Sequence, residues 1–204
     1  ALVRTAERSL SCGSLLRSPV YLGYALCGAF STCAYLSFAS VMPYIFVNKM
    51  GGTSASYGNW FLIVSLGYFF GSSVAAYAAT RFSVDRIISV GLLLGLCASL
   101  FVVFLTSQNI LVAALIFVPM GLLTFSRGLL YPNTQSSAIS DARIGRGTAS
   151  GMLAFIQLML ATVFAQSMPF FLELGVTYVF VVIVIALVLA SLSHQYGLFK
   201  RTQG

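Results

Sequence analysis

The sequence predicts an all-α polytopic membrane protein, with six transmembrane helices forming one bundle. Three observations carry this. Hydrophobic residues make up 59% of the 204 residues and charged residues only 7%; a soluble domain carries roughly a quarter charged residues. Mean hydropathy is +0.96. Apolar runs close to the roughly 20 residues that a helix needs to cross the hydrocarbon core recur along the chain, separated by short polar connections.

Residues 1–18 hold Arg4, Glu7, Arg8 and Arg17 without a long apolar stretch, so they are not a signal peptide and read as a cytoplasmic connector within a longer polypeptide. The bundle is expected over 19–195. Its spans are placed at 21–47, ending before Asn48 and Lys49; at 57–79, ending at Thr80-Arg81; and at 87–105, ending at Thr106. The next three are placed at 110–136, at 148–168 with Pro169 closing the helix, and at 176–192 with His194 at its end. Residues 196–204 form the expected cytoplasmic tail.

Charge sets the orientation. With six spans, Arg4, Arg8, Arg17, Arg81, Arg86, Arg143, Arg146, Lys200 and Arg201 fall on one side, and Lys49 falls alone in the opposite loops. The positive-inside rule then puts both termini in the cytoplasm. The same scatter, with no basic stripe, argues against nucleic acid as a partner. Cys12, Cys27, Cys33 and Cys97 lack metal-ligand or disulfide spacing and read as core-filling thiols. No nucleophile–base pair, acid pair, metal cluster or phosphate-cradling loop is recognisable, which points away from an enzyme and from a bound metal or cofactor.

The stretch 121–157 concentrates the polar anomalies. Thr124, Arg127 and Tyr131 share one face of the fourth span by three- and four-residue steps. A charge at that depth costs roughly 2.5–3.5 kcal/mol on insertion scales. Arg127 is therefore either a cation in a central cavity or a side chain snorkelling to the interface, if Pro132 ends the helix early. Tyr24, Cys27, Ser31 and Tyr35 line one face of the first span. Ser31 and Tyr35 are the candidates for the cavity, and Tyr24 for the interfacial aromatic belt. Gln157 is polar at depth in the fifth span, fit for a pocket contact or for a bond between helices. Ser65, Tyr68 and Ser72, near Gly67 and Gly71, read as a packing stripe, as does the Gly147/Gly151 pair. Glu173 reads as solvated. Pro43 and Pro132 fall late in the first and fourth spans as matching helix breaks, a hint of a 3+3 inverted repeat. No Asp or Glu lies inside the expected spans, so a carboxylate proton site would have to lie elsewhere.

Four stretches carry a resemblance. They are Leu15-Leu16-Arg17-Ser18-Pro19-Val20-Tyr21, Ser37-Phe38-Ala39-Ser40-Val41-Met42-Pro43, Tyr131-Pro132-Asn133, and Gly147-Thr148-Ala149-Ser150-Gly151 with Gln157. In order and spacing they resemble the carboxyl-terminal six helices of major facilitator superfamily transporters, and among these the drug/proton antiporters of the bicyclomycin-resistance and chloramphenicol-efflux type. The resemblance implies a partner half of six amino-terminal helices and a small-molecule substrate passing between the halves. Multidrug efflux would then run by proton antiport, with the proton carried through the other half, in a bacterial inner membrane. Arg81, Asp85 and Arg86 are similar to that superfamily's cytoplasmic gating loop, although the spacing departs from it. Arg127 is not a usual feature of those antiporters, which leaves an organic anion open as the substrate. A stand-alone six-helix channel or structural subunit is the reading from a different class.

Overall fold

The computed structural model describes residues 18–140 and 146–203. They form six helices: α1 (Pro19–Asn48), α2 (Ser54–Ala78), α3 (Val84–Ser107), α4 (Ala113–Ser140), α5 (Arg146–Leu174) and α6 (Val176–Gln203). Each is long and apolar enough to cross a membrane. Leu62, Phe69, Leu93, Phe104, Val163 and Phe170 stand exposed on the outside, a surface that fits hydrocarbon and not water. Arg143 and Asp141 lie outside the described residues, as do Arg4, Arg8, Arg17 and Cys12.

Local chemistry starts the first two helices. The Ser18 hydroxyl accepts the Tyr21 N–H, and Pro19 takes the first helical position, where its missing N–H costs nothing. Thr53 and Ser56 cap α2 reciprocally. Gly175, at φ 141°, makes the turn between α5 and α6, and its N–H returns to the Phe171 and Leu172 carbonyls.

The helices overrun the expected spans. Pro43 and Pro132 lie inside α1 and α4, and Pro169 lies inside α5. None of the three ends its helix, because neighbouring helices hold the chain on both sides of the ring. α6 likewise runs through His194 to Gln203. An apolar window measures hydrocarbon thickness, whereas a helix continues into the polar region until a turn residue stops it.

The packing has an internal symmetry. α2 packs most extensively on α4 and α1 on α6, followed by α3 on α4, α1 on α5, α3 on α6 and α1 on α4. Exchanging the first three helices with the last three turns α3·α4 into α6·α1 and α2·α4 into α5·α1, so this set of pairs maps onto itself. Close approach is bought with glycine. A Cβ on Gly128 in α4 would sit 2.6 Å from the Tyr68 carbonyl oxygen of α2, and one on Gly23 in α1 would sit 2.5 Å from Gly197 Cα of α6. The hydroxyls of Ser65 and Ser72 turn back to the Phe61 and Phe69 carbonyls of their own helix, so glycine carries the α2–α4 seam.

Two expectations about packing fail. Nothing stands within 4 Å of a Cβ built on Gly147 or Gly151, so this small-residue pair seats no helix of the described chain. Cys27 and Cys33 are buried thiols, but Cys97 is exposed; its position on α3 falls on the outer side of that helix's buried stripe of Gly91, Gly95, Ala98 and Val102.

The bundle has two distinct ends. At one, Phe117 packs against Phe46, Tyr57, Trp60 and Phe38 with ring centroids 5.6–6.3 Å apart, contacts worth about 0.5–1.5 kcal/mol each beyond their buried area. Lys49 lies at this end. The other end gathers the starts of α1, α3 and α5 and the end of α6, where Tyr24 meets Asp85, Arg201 meets Asp85, and the Tyr21 hydroxyl donates to the Ala149 carbonyl. Arg81, Arg86, Arg146, Lys200 and Arg201 belong to this end, the separation that the charge pattern predicts.

Candidate functional site

Arg127 lies fourteen residues after the start of α4 and thirteen before its end, which at about 1.5 Å per residue puts it some 20 Å from either. The helix does not stop at Pro132, so Arg127 occupies the middle of the bundle. Its guanidinium carbon sits 4.7 Å from the ring centroid of Tyr35 on α1, 5.4 Å from Tyr68 on α2 and 4.8 Å from Tyr131 on its own helix. These are cation–π distances, and each such contact is worth about 0.5–1 kcal/mol, or about 2 where water is excluded. Its Nε is buried without a hydrogen-bond partner.

A cavity of about 270 Å³ opens beside it, lined by Thr32, Tyr35, Leu36, Arg127, Tyr131, Ala154, Gln157 and Leu158. Four helices thus converge on one cation, three through the cavity wall and α2 through Tyr68. Gln157 is 3% exposed. Its Oε1 accepts from the Tyr131 hydroxyl at 3.2 Å and lies 3.5 Å from Gln135 Nε2, while its own Nε2 has no partner. Gly28 makes room for it, since a Cβ there would stand 2.8 Å from Gln157 Nε2.

The residues singled out in the sequence therefore divide. Tyr35, Arg127, Tyr131 and Gln157 surround one cavity. Ser31 is buried at 2% exposure and does not line it. Thr124 shares the Arg127 face but donates its hydroxyl to the Val64 carbonyl of α2 at 2.6 Å, so it bonds helix to helix. Tyr68, read from sequence as packing, is part of the cage around Arg127.

A second polar cluster forms at the charged end. Asp85, in the first turn of α3, accepts from the Tyr24 hydroxyl at 2.6 Å and from Arg201 Nη1 at 3.3 Å. His194 Nε2 lies 3.7 Å from Asp85 Oδ1, too long for a hydrogen bond, and the His194 ring meets Tyr24 edge-on at 5.9 Å. The partners of Asp85 thus come from α1 and α6. Arg81 instead lies over the Tyr77 ring at 4.7 Å, and Arg86 borders an apolar groove with Phe82, Ile87 and Leu129. Tyr24, expected in the interfacial belt, is 1% exposed, because this bond draws it inward. Glu173, expected to be solvated, is exposed and lines a groove of about 400 Å³ with Lys49, Ser40, Tyr44 and Pro169.

The Asp85 cluster ties three helices together at one atom pair. Asp85→Ala is expected to lower stability by about 1.5–3 kcal/mol, the range for hydrogen bonds to charged groups. Arg201, at 57% exposure, adds little. Thermal unfolding in detergent checks this, and an unchanged midpoint would show that the cluster does not fasten the helices.

No family model matches the chain. It is similar to a protein of Rickettsia felis described as an uncharacterized transporter, 30% identical over 138 residues. The match covers 63% of this chain and 34% of that protein, so the chain spans about a third of the relative's length. The described residues form six helices fit to span a membrane, and the chain has a likeness to a transporter.

Proposed function

We propose that this chain is the carboxyl-terminal six-helix half of a major facilitator-type secondary transporter. Its amino-terminal partner half would complete a path for small molecules, moved by alternating access in a bacterial inner membrane with both termini cytoplasmic. Efflux by proton antiport is the mode proposed, with the proton carried through the other half.

Arg127 carries this proposal. A guanidinium at mid-helix, with an unpartnered Nε beside a cavity, is a costly group that packing alone would not require. The six packing pairs that map onto themselves under exchange of three-helix units support it, since transporters are built from such repeats with the site near their interface. The likeness to an uncharacterized transporter points the same way.

The test is flux. The product of the complete gene, reconstituted in liposomes, is expected to move small organic solutes outward as protons flow in down an inward proton gradient, and to stop when the gradient is collapsed with a protonophore. Solute movement that ignores the gradient would contradict antiport. No movement of any solute across a broad panel would contradict transport.

A further inference from the structure

We infer that the Arg127 cavity takes a singly charged organic anion, a carboxylate on a flat apolar body, held between Arg127 and Gln157. This deepens the transporter proposal and names the class of cargo.

The charge balance comes first. The chain has four acidic residues, and the two described ones are engaged or distant. Asp85 binds Tyr24 and Arg201 at one end of the bundle, and Glu173 lines the groove beside Lys49. Neither lines the Arg127 cavity. The three tyrosine faces attract the guanidinium without neutralising it, and they leave one net positive charge at mid-depth.

Hydrogen bonding points the same way. Arg127 Nε and Gln157 Nε2 are both buried donors without acceptors, and the residues share one cavity wall. Tyr131 links them: its ring lies 4.8 Å from the guanidinium carbon and its hydroxyl donates to Gln157 Oε1. That bond occupies the carbonyl of the amide and leaves the NH₂, buried against Gly28, without an acceptor. What these two donors lack is an acceptor, and a carboxylate supplies two oxygens for a guanidinium and an amide. One negative charge matches the one cation.

Specificity follows from the cage. Aromatic faces would ordinarily welcome a cationic solute, but here Tyr35, Tyr68 and Tyr131 already face the guanidinium. A cation would meet a like charge with no free ring. Leu36, Ala154 and Leu158 form an apolar wall suited to a flat hydrocarbon body. A cavity of about 270 Å³ on this half is near the lower bound of small-molecule pockets, about 300 Å³.

The experiment uses the complete gene product in detergent, with radiolabelled benzoate as probe and neutral benzamide and cationic benzylamine as competitors. Benzoate is expected to bind saturably, with unlabelled benzoate displacing it at least about tenfold more effectively than benzamide and benzylamine not displacing it. Arg127→Gln is expected to weaken binding at least about thirtyfold, Arg127→Lys less, and Gln157→Leu about tenfold. Gln157→Leu is an uncharged change with a folding check by thermal unfolding, so loss of binding in a folded variant is readable by itself. Equal displacement by benzamide, or binding untouched by Arg127→Gln and Gln157→Leu, would overturn the inference. The two proposals fail separately. Benzoate binding without flux would keep the anion site and sink transport, whereas pH-driven flux of neutral solutes unaffected by benzoate would do the reverse.

Discussion

Arg127→Gln is expected to cut solute flux in liposomes by at least about a hundredfold while leaving the bundle folded. The two halves of that result come from different magnitudes. Burying the charge costs roughly 2.5–3.5 kcal/mol on insertion scales, and three cation–π contacts return about 0.5–2 kcal/mol each. These nearly cancel, so the unfolding midpoint should move little. Function has no such cancellation. A missing charged partner for a buried polar group of the cargo costs about 3 kcal/mol, near the upper range for hydrogen bonds to charged groups, which is about a hundredfold. Flux that survives in a folded Arg127→Gln protein would remove Arg127 from the transport path. Loss of flux together with loss of folding would give the residue a structural role instead.

The second large effect is structural. Gly128→Leu is expected to prevent α2 and α4 from closing, since even a Cβ at this position would meet the Tyr68 carbonyl oxygen at 2.6 Å and the Ser72 nitrogen at 2.7 Å. Both are backbone atoms of a packed helix and cannot swing aside. Overpacking typically costs about 1–3 kcal/mol, and a whole leucine against backbone should exceed that. The α2–α4 seam is the most extensive in the bundle, and α2 reaches the rest of the bundle mainly through it. Loss of the folded fraction on size-exclusion chromatography is the readout. A Gly128→Leu protein as stable as the parent would mean that the helices can separate at no cost, contrary to the packing described.

How much was legible in the sequence follows from what periodicity can report. Six apolar runs and the one-sided cations gave six helices and their alternation, because hydrocarbon thickness and interfacial charge act on each segment independently. The anomalies Arg127, Tyr131 and Gln157 were visible for the same reason: each breaks the apolar rule within its own helix. Helical spacing says which residues share a face but not what that face meets. Thr124 and Arg127 sit on one stripe, yet one bonds Val64 and the other borders the cavity. Tyr68 looked like packing beside Gly67 and Gly71, and it reaches Arg127 only because those glycines bring α2 close to α4. The Asp85 cluster was illegible, since Tyr24, Asp85, His194 and Arg201 are scattered over 177 positions and meet only once the bundle closes. A lone histidine with one acid in a neighbouring helix start was the only available signal.

Alternating access to the Arg127 cavity is tested most directly by accessibility at Ala154, an exposed small residue on its wall. Ala154→Cys would be made in the complete gene product with Cys12, Cys27, Cys33 and Cys97 replaced, then treated with a membrane-impermeant maleimide from each side. The cavity of a half-transporter is expected to react from the cytoplasmic side in one state and from the opposite side when the pH gradient is reversed. Reaction with a lipid-soluble maleimide alone, from neither aqueous side, would place Ala154 and Arg127 against lipid and contradict the account.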